Sequence, residues 1–160
     1  KEMPTFNSSL DSVGESLIFK HYFHIGVAVD TPAGLMVPVV RDVDQKNIIE
    51  LSTELKDLSQ RARGKKLKPS ELKGGTFTIS SLGGIGGDFF TPIINPPQAA
   101  ILGISESRWK KVYDHKEKTT NPRYVLPFSL SYDHRVIDGA AAARFTSRYS
   151  EMLANIDNYK

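Results

Sequence analysis

The sequence predicts an α/β fold, a two-layer sandwich with helices packed on a mixed sheet. Short β-type runs alternate with two long amphipathic segments, one mid-chain and one near the C-terminal end. Apolar residues recur at a period of two in the former and at helical spacing in the latter. The 160 residues suffice for one domain with a substantial core, and no internal repeat divides them.

The elements follow in chain order. The opening "KEMPTFNSSL" has no initiator Met and no leading element, and reads as the start of a fragment or excised domain. In "HYFHIGVAVDTPAGLMVPVVRDV", Ile25, Val27 and Val29 alternate, residues 31–34 carry turn chemistry, and residues 35–40 resume an extended apolar run. That pattern is a β-hairpin. Residues 47–64 are the clearest helix, with Ile48, Leu51, Leu55, Leu58 and Ala62 on one face and Gly64 as its stop. Residues 76–80 form a strand running into the Gly-rich "SLGGIGGDFF". "TPIINPPQ" is an extended connector, because each of its prolines lacks an amide donor. "AAILGIS" is a buried strand, residues 110–123 are an exposed hairpin, and "YVLPFSLSYDHRV" is one long strand. Residues 140–155 close the chain as a helix with Phe145, Tyr149, Met152 and Leu153 as its apolar stripe.

Composition narrows the function. Lys and Arg number 21 against 18 Asp and Glu, a net +3. That balance suits a polyanionic small ligand and is too weak to argue for nucleic acid. The absence of cysteine excludes a disulfide scaffold, a thiolate zinc site and a cysteine nucleophile. No apolar run approaches the roughly 20 residues of a membrane span, and no signal peptide is visible.

Three stretches could carry chemistry. In the Gly-rich loop, Gly84-x-Gly86 is followed by Phe89 where a dinucleotide fingerprint needs a third glycine, and no Gly-Lys-Ser/Thr is present. A tight strand-end loop that presents a hydroxyl, Ser80 or Ser81, is the simpler reading. His21 and His24 point to opposite faces of a strand and cannot chelate one ion, so no metal is expected. The third stretch, "SLSYDHRVIDGAAAARF", sets Asp133, His134 and Arg135 where an apolar strand hands over to an Ala-rich helix. Asp138 makes a good N-cap there, and Arg135 can neutralise Asp133 or Asp138. His134 is the member that a structural role explains least. A neutral imidazole is the usual general base near neutral pH, with a thiol or hydroxyl as its target.

Together, "HIGVAVDTPAGLMVPVVRDV", "FTISSLGGIGG", "TPIINPPQAAILGIS" and "SLSYDHRVIDGAAAARF" closely resemble the catalytic domain of dihydrolipoyl acyltransferases of 2-oxo acid dehydrogenase complexes. The Asp-His-Arg-x-x-Asp-Gly core, Asp133 to Gly139, is the specific part. The resemblance implies a chloramphenicol acetyltransferase-like fold, assembled as trimers that build a cubic or icosahedral core. It makes residues 1–160 the C-terminal part of one catalytic domain, without its first helix and strand or the lipoyl and subunit-binding domains. His134 becomes the general base, Ser80 faces it from a neighbouring subunit, and Asp138 supports the site. Asp133, Arg135 and Gly139 hold the motif in shape. Coenzyme A and a lipoyl-lysine carried on a separate domain are the implied reactants, with coenzyme A contacts unassigned. Decarboxylase and dihydrolipoyl dehydrogenase components are the implied further partners, and nucleic acid and membrane are not. Bacterial cytoplasm is the expected compartment, with mitochondrial matrix the alternative.

"SSLGGIGG" favours acetyl as the acyl group, because succinyl-transferring relatives tend to carry Thr-Asn at its first two positions. "TPIINPPQ" occurs in the succinyl branch as well, so succinyl and branched-acyl transfer stay open. Two further alternatives are acylation of a small-molecule hydroxyl, disfavoured by Asp133-His134 in place of a His-His pair, and a non-catalytic assembly subunit.

Overall fold

The computed structural model describes residues 1–155. A short 3-10 turn, Pro4–Asn7, leads into an antiparallel pair, β1 (Ser8–Leu10) and β2 (Leu17–Phe19). β3 (Ile25–Val27) enters the main sheet. β4 (Val29–Thr31) and β5 (Gly34–Met36) make a tip, and β6 (Val39–Val40) returns antiparallel to β3. The predicted hairpin is therefore two ladders rather than one. The break falls at Ala28, whose amide donates to the Ile79 carbonyl at 2.9 Å instead of across the hairpin.

α1 (Ile48–Arg63) begins and ends where the sequence signals it. The Asn47 side chain accepts from the Ile49 and Glu50 amides at 3.0 Å each, and Glu50 accepts from the Asn47 amide at 2.8 Å. This reciprocal box satisfies amide donors that the first turn leaves without helical partners. At the other end the Gly64 amide donates to the Gln60 carbonyl at 3.0 Å. Leu58 and Ala62 are buried, and the helix packs on β4 and β6.

β7 (Phe77–Ser81) and β8 (Ala100–Ile104) are parallel neighbours in the centre of the sheet. β9 (Arg108–Asp114) and β10 (Thr119–Val125) form the exposed hairpin, and β11 (Phe128–Tyr132) returns antiparallel to β8. The long strand expected from "YVLPFSLSYDHRV" is thus two strands. Pro127 has no amide to give a ladder, and its buried carbonyl instead accepts from Ser105 at 3.0 Å as the chain turns from the hairpin into the sheet. α2 (Gly139–Ala154) ends the described chain.

The five-stranded sheet has the order β11-β8-β7-β3-β6, parallel across β8-β7-β3 and antiparallel at both edges. Helices on a mixed sheet match the predicted fold class. Phe77 and Ile79 alternate with Thr78 and Ser80 along β7, so the two pairs occupy opposite faces. α2 covers the first face, where Phe145 stacks on Phe6 at 4.3 Å between ring centroids and meets Phe77 at 5.9 Å. Buried Phe6, Ala99, Ala100, Ile137 and Ala142 form the core beneath it. On the other face Thr78, fully buried, donates to Gln98 Oε1 at 2.6 Å.

Candidate active site

The motif from Asp133 to Gly139 forms the junction between β11 and α2. The strand ends at Tyr132, and His134 sits in the turn that follows. The Asp133 amide donates to the Ala99 carbonyl at 2.8 Å, and the Val136 and Ile137 amides both close on the Asp133 carbonyl at 2.9 Å. Ile137, 1% exposed, pins the turn into the core. Both ends of the turn are therefore fixed by packed elements, while the His134 side chain is exposed, its ring 5.8 Å from that of Tyr132.

Asp133 and Arg135 clamp this turn. Arg135 Nε donates to Asp133 Oδ1 at 3.0 Å and Nη2 to Oδ2 at 2.6 Å, while the Arg135 amide also donates to Oδ1 at 3.0 Å. Hydrogen bonding by the guanidinium holds the Asp133 carboxyl below the ordinary carboxylate value, and Asp133 raises Arg135 in return. Of the two partners sequence reading allowed for Arg135, it takes Asp133. Asp138 caps α2, its Oδ1 accepting from the Ala141 amide at 2.6 Å, and Gly139 is the first helical residue. Behind the turn lies a cavity of about 300 Å³, walled by Asp133, Arg135, Val136, Pro97 and Gln98.

The second group of residues lies elsewhere. Ser80 is half-buried near the end of β7 and Ser81, next to it, is exposed and accepts from the Gly83 amide at 3.3 Å. The loop beyond them needs glycine where φ is +124° at Gly86 and +100° at Gly87. Its far end is anchored twice. Asp88 pairs with Arg108 at the base of the β9–β10 hairpin, and Lys110 Nζ lies 5.9 Å from the centroid of the Phe89 ring. Phe90 and Pro92 then fold over Gly103, where an added Cβ would meet Phe90 Cζ at 2.8 Å. Sequence reading missed Gly103 and Phe90. The available signal was a glycine inside the otherwise apolar run "AAILGIS", which marks a close approach of another segment.

One chain does not bring Ser80 and His134 together. Register aligns Ser80 with Gly103 on β8, and Gly103 with Ser129 on β11. Asp133 comes four residues after Ser129 and one past the end of β11, so at standard strand rise it is about 13 Å further along, with two strand spacings, about 10 Å, across. The two groups stand roughly 16 Å apart, toward opposite ends of the sheet. Of the remaining histidines, His24 is buried, its Nδ1 accepting from the Asp42 amide at 2.9 Å, and His21 is exposed. Among the described residues no cluster of three or more His, Cys, Asp or Glu side chains is arranged to hold a metal ion.

Comparison with known proteins shows the family. Residues 1–159 match the family model of the 2-oxoacid dehydrogenases acyltransferase catalytic domain. The chain is 58% identical over 156 residues to the dihydrolipoyllysine-residue acetyltransferase component of the pyruvate dehydrogenase complex of Pseudomonas aeruginosa, covering 98% of this chain and 28% of that protein. A dihydrolipoamide acetyltransferase from Azotobacter vinelandii, solved to examine the catalytic role of a serine, a histidine and an asparagine, superposes with a TM-score of 0.94 at 58% identity. The cubic core of a pyruvate dehydrogenase multienzyme complex gives a TM-score of 0.94 at 57% identity, and in both cases the match covers 98% of this chain and 63% of the other. A chloramphenicol acetyltransferase, at 15% identity and a TM-score of 0.56, shares the fold alone.

Proposed function

Because the chain belongs to the 2-oxoacid dehydrogenase acyltransferase family, matched over its catalytic domain, we propose that it transfers an acetyl group from acetyl-dihydrolipoyl-lysine to coenzyme A within a pyruvate dehydrogenase complex. The names of its relatives support acetyl over succinyl or branched acyl groups. A thiol with an ordinary pKa of about 8.5 is mostly protonated at neutral pH, so coenzyme A needs a base. His134 takes that proton, and the thiolate attacks the thioester carbonyl. The Ser80 hydroxyl donates to the oxyanion that forms. Collapse breaks the bond to the dihydrolipoyl sulfur, which receives the proton from the His134 imidazolium. Asp133 and Arg135 keep the turn rigid, and Asp138 holds the start of α2 against it.

The observation that carries this reading is the strand register, which puts Asp133, the neighbour of His134, roughly 16 Å from Ser80 in one copy and toward the opposite end of the sheet. A site that uses both takes Ser80 from one subunit and His134 from the next, in a closed homo-oligomer of the kind the cubic core of the relative represents. The chain spans 28% of the length of the first curated relative and 63% of the solved ones. Accordingly we read it as the C-terminal part of one catalytic domain, with a lipoyl-bearing domain, a subunit-binding domain and their partner enzymes belonging to the longer protein. An apolar groove of about 450 Å³ on the α2 face of the sheet, lined by Phe6, Phe23, Ile25, Ile79, Leu102 and Tyr149, suits the remaining elements of that domain. The bacterial sources of the relatives favour a cytoplasmic setting.

A mixing experiment tests the shared site. His134→Ala and Ser80→Ala are each expected to lower transfer from acetyl-dihydrolipoamide to coenzyme A, by about 10²–10⁴-fold and 10²–10³-fold respectively. Co-assembled one to one, the two inactive variants are expected to recover about a quarter of parental activity, since that share of random interfaces pairs an intact Ser80 with an intact His134. Recovery no greater than the sum of the separate variants sinks the two-subunit site. Full activity in either variant sinks the residue assignment.

A further inference from the structure

The His134 turn is anchored at its far end by buried Ile137, and at its near end by a main-chain bond. That bond is the Asp133 amide donating to the Ala99 carbonyl at 2.8 Å. Among the described residues it is the one main-chain hydrogen bond from residues 133–137 to another segment. Behind the turn lies the cavity of about 300 Å³ rather than a packed layer of side chains. The His134 ring is exposed, and His134 comes directly after the near anchor. Where the imidazole stands therefore depends on where the Ala99 carbonyl stands.

Ala99 follows Gln98, whose side chain is itself fixed. The buried Thr78 hydroxyl on β7 donates to Gln98 Oε1 at 2.6 Å, and Gln98 is buried as well. Two glycines clear the space for this pair. A Cβ on Gly26, the register partner of Thr78 on β3, would sit 2.8 Å from Thr78 Oγ1. One on Gly75 would sit 2.9 Å from Gln98 Nε2. Glycine in such places marks the close approach of another group. Two apolar side chains of the same shape would be nearly neutral or better for stability, so stability alone does not call for a hydrogen bond here. What the bond adds is direction, because its strength falls steeply with misalignment and it holds Gln98 in one orientation.

We propose that Gln98 is a positioning residue for His134: Thr78 fixes its side chain, and Gln98 thereby fixes the Ala99 carbonyl from which the near end of the catalytic turn hangs. This rests on the reading of His134 as the general base. The contacts run from Thr78 through Gln98, Ala99 and Asp133 to His134, all within one subunit. Without the Thr78 hydroxyl, Gln98 Oε1 loses its buried partner, and the side chain can turn into the cavity that it already walls. That turn carries Ala99 with it, and the Asp133 amide follows. Thr78 also lies two residues before Ser80 on the same face of β7, so the test must separate a route to His134 from a route to Ser80.

Gln98→Met and Thr78→Val each remove the bond from one side and keep a side chain of similar size. Both are expected to lower kcat for transfer from acetyl-dihydrolipoamide to coenzyme A by about 10- to 100-fold, with each KM changed by less than about twofold. Thr78→Ser keeps the hydroxyl and should restore parental kcat. Parental kcat in both Gln98→Met and Thr78→Val overturns the proposal. The mixed assembly of Ser80→Ala and His134→Ala subunits then shows which group is displaced. Its working sites take His134 from the Ser80→Ala chain and Ser80 from the His134→Ala chain. Gln98→Met added to the first chain should lower the recovered rate by the factor seen in the single variant. Added to the second chain, it should leave the recovered rate unchanged. A loss confined to the second arrangement means that the bond acts on Ser80, and equal losses in both mean that it serves the fold in general. Either result overturns the positioning role while the acetyltransferase reading stands. An unmodified mixture with no recovery overturns the shared site, and the proposal with it.

Discussion

Replacing Gly103 with alanine tests whether loop packing positions Ser80. Gly103 lies between Ser80 and Ser129 in one row across three strands. A methyl group there would sit 2.8 Å from Phe90 Cζ, 3.0 Å from Phe90 Cε1 and 3.1 Å from Pro92 Cγ. Carbon atoms rest at about 3.5–4.0 Å, so the Phe90 ring must retreat by about 0.7–1.2 Å. Phe90 is continuous with the Gly-rich loop that begins beyond Ser81, and the loop's other anchor, Asp88 to Arg108, resists the same movement. Overpacking of this kind costs about 1–3 kcal/mol. A displacement near 1 Å at a positioned catalytic group costs about 100-fold in rate. Gly103→Ala is expected to lower stability by that amount in urea unfolding, and to reduce kcat by about 10- to 100-fold with little change in the KM for coenzyme A. Adding Phe90→Leu should return part of both losses, giving a coupling of about 0.5–3 kcal/mol in the double-mutant cycle. Parental kcat in Gly103→Ala, or strictly additive effects in the double variant, would refute the idea that Phe90 transmits the strain to the Ser80 loop.

Other substitutions separate the roles within the two groups. Ser81→Ala should keep near-parental turnover, because the Ser81 side chain alternates to the Phe77 and Ile79 face of β7 while Ser80 points the other way; steady-state rates beside those of Ser80→Ala decide it. Asp138→Ala should cost about 1 kcal/mol through loss of the cap on Ala141, whereas Asp138→Asn should keep most of the stability, read from thermal unfolding. Arg135 holds the Asp133 carboxyl below its ordinary 3.8, so the pair stabilises the fold above that pH and the contribution is lost as pH falls through the lowered value. The stability difference between parent and Arg135→Gln should accordingly be constant near neutral pH and vanish in acid, and a difference that grows on acidification would contradict the clamp.

Local chemistry made much of the architecture legible. Asn47, Glu50 and Gly64 encode both ends of α1 in a few residues, and the structure uses each of them. The exposed hairpin and the start of α2 after Asp138 were legible for the same reason. What escaped was non-local. The apolar run "YVLPF" continues without a break into the alternating "SLSY", and only the pairing partners reveal that the chain changes ladders at Pro127. Ala28 likewise reads as hairpin until its amide is seen to serve β7. At the site, the residues of the Asp133–Gly139 motif pointed to His134 and Asp138, and the family resemblance chose Ser80 over Ser81, but the distance between His134 and Ser80 depends on strand order and direction, which no short motif contains. Gly103 was visible as an anomaly in an apolar strand, and its reason lay in Phe90, thirteen residues earlier in the chain.

The opposed directions of β7 and β11 also bear on gene dosage. Under the proposed two-subunit site, a newly translated subunit is inert until it meets its neighbours. A copy damaged at both positions then silences two sites in every ring it joins, one through each flank. Such an allele acts dominantly over an intact one, and the fraction of activity lost exceeds the fraction of subunits that are defective.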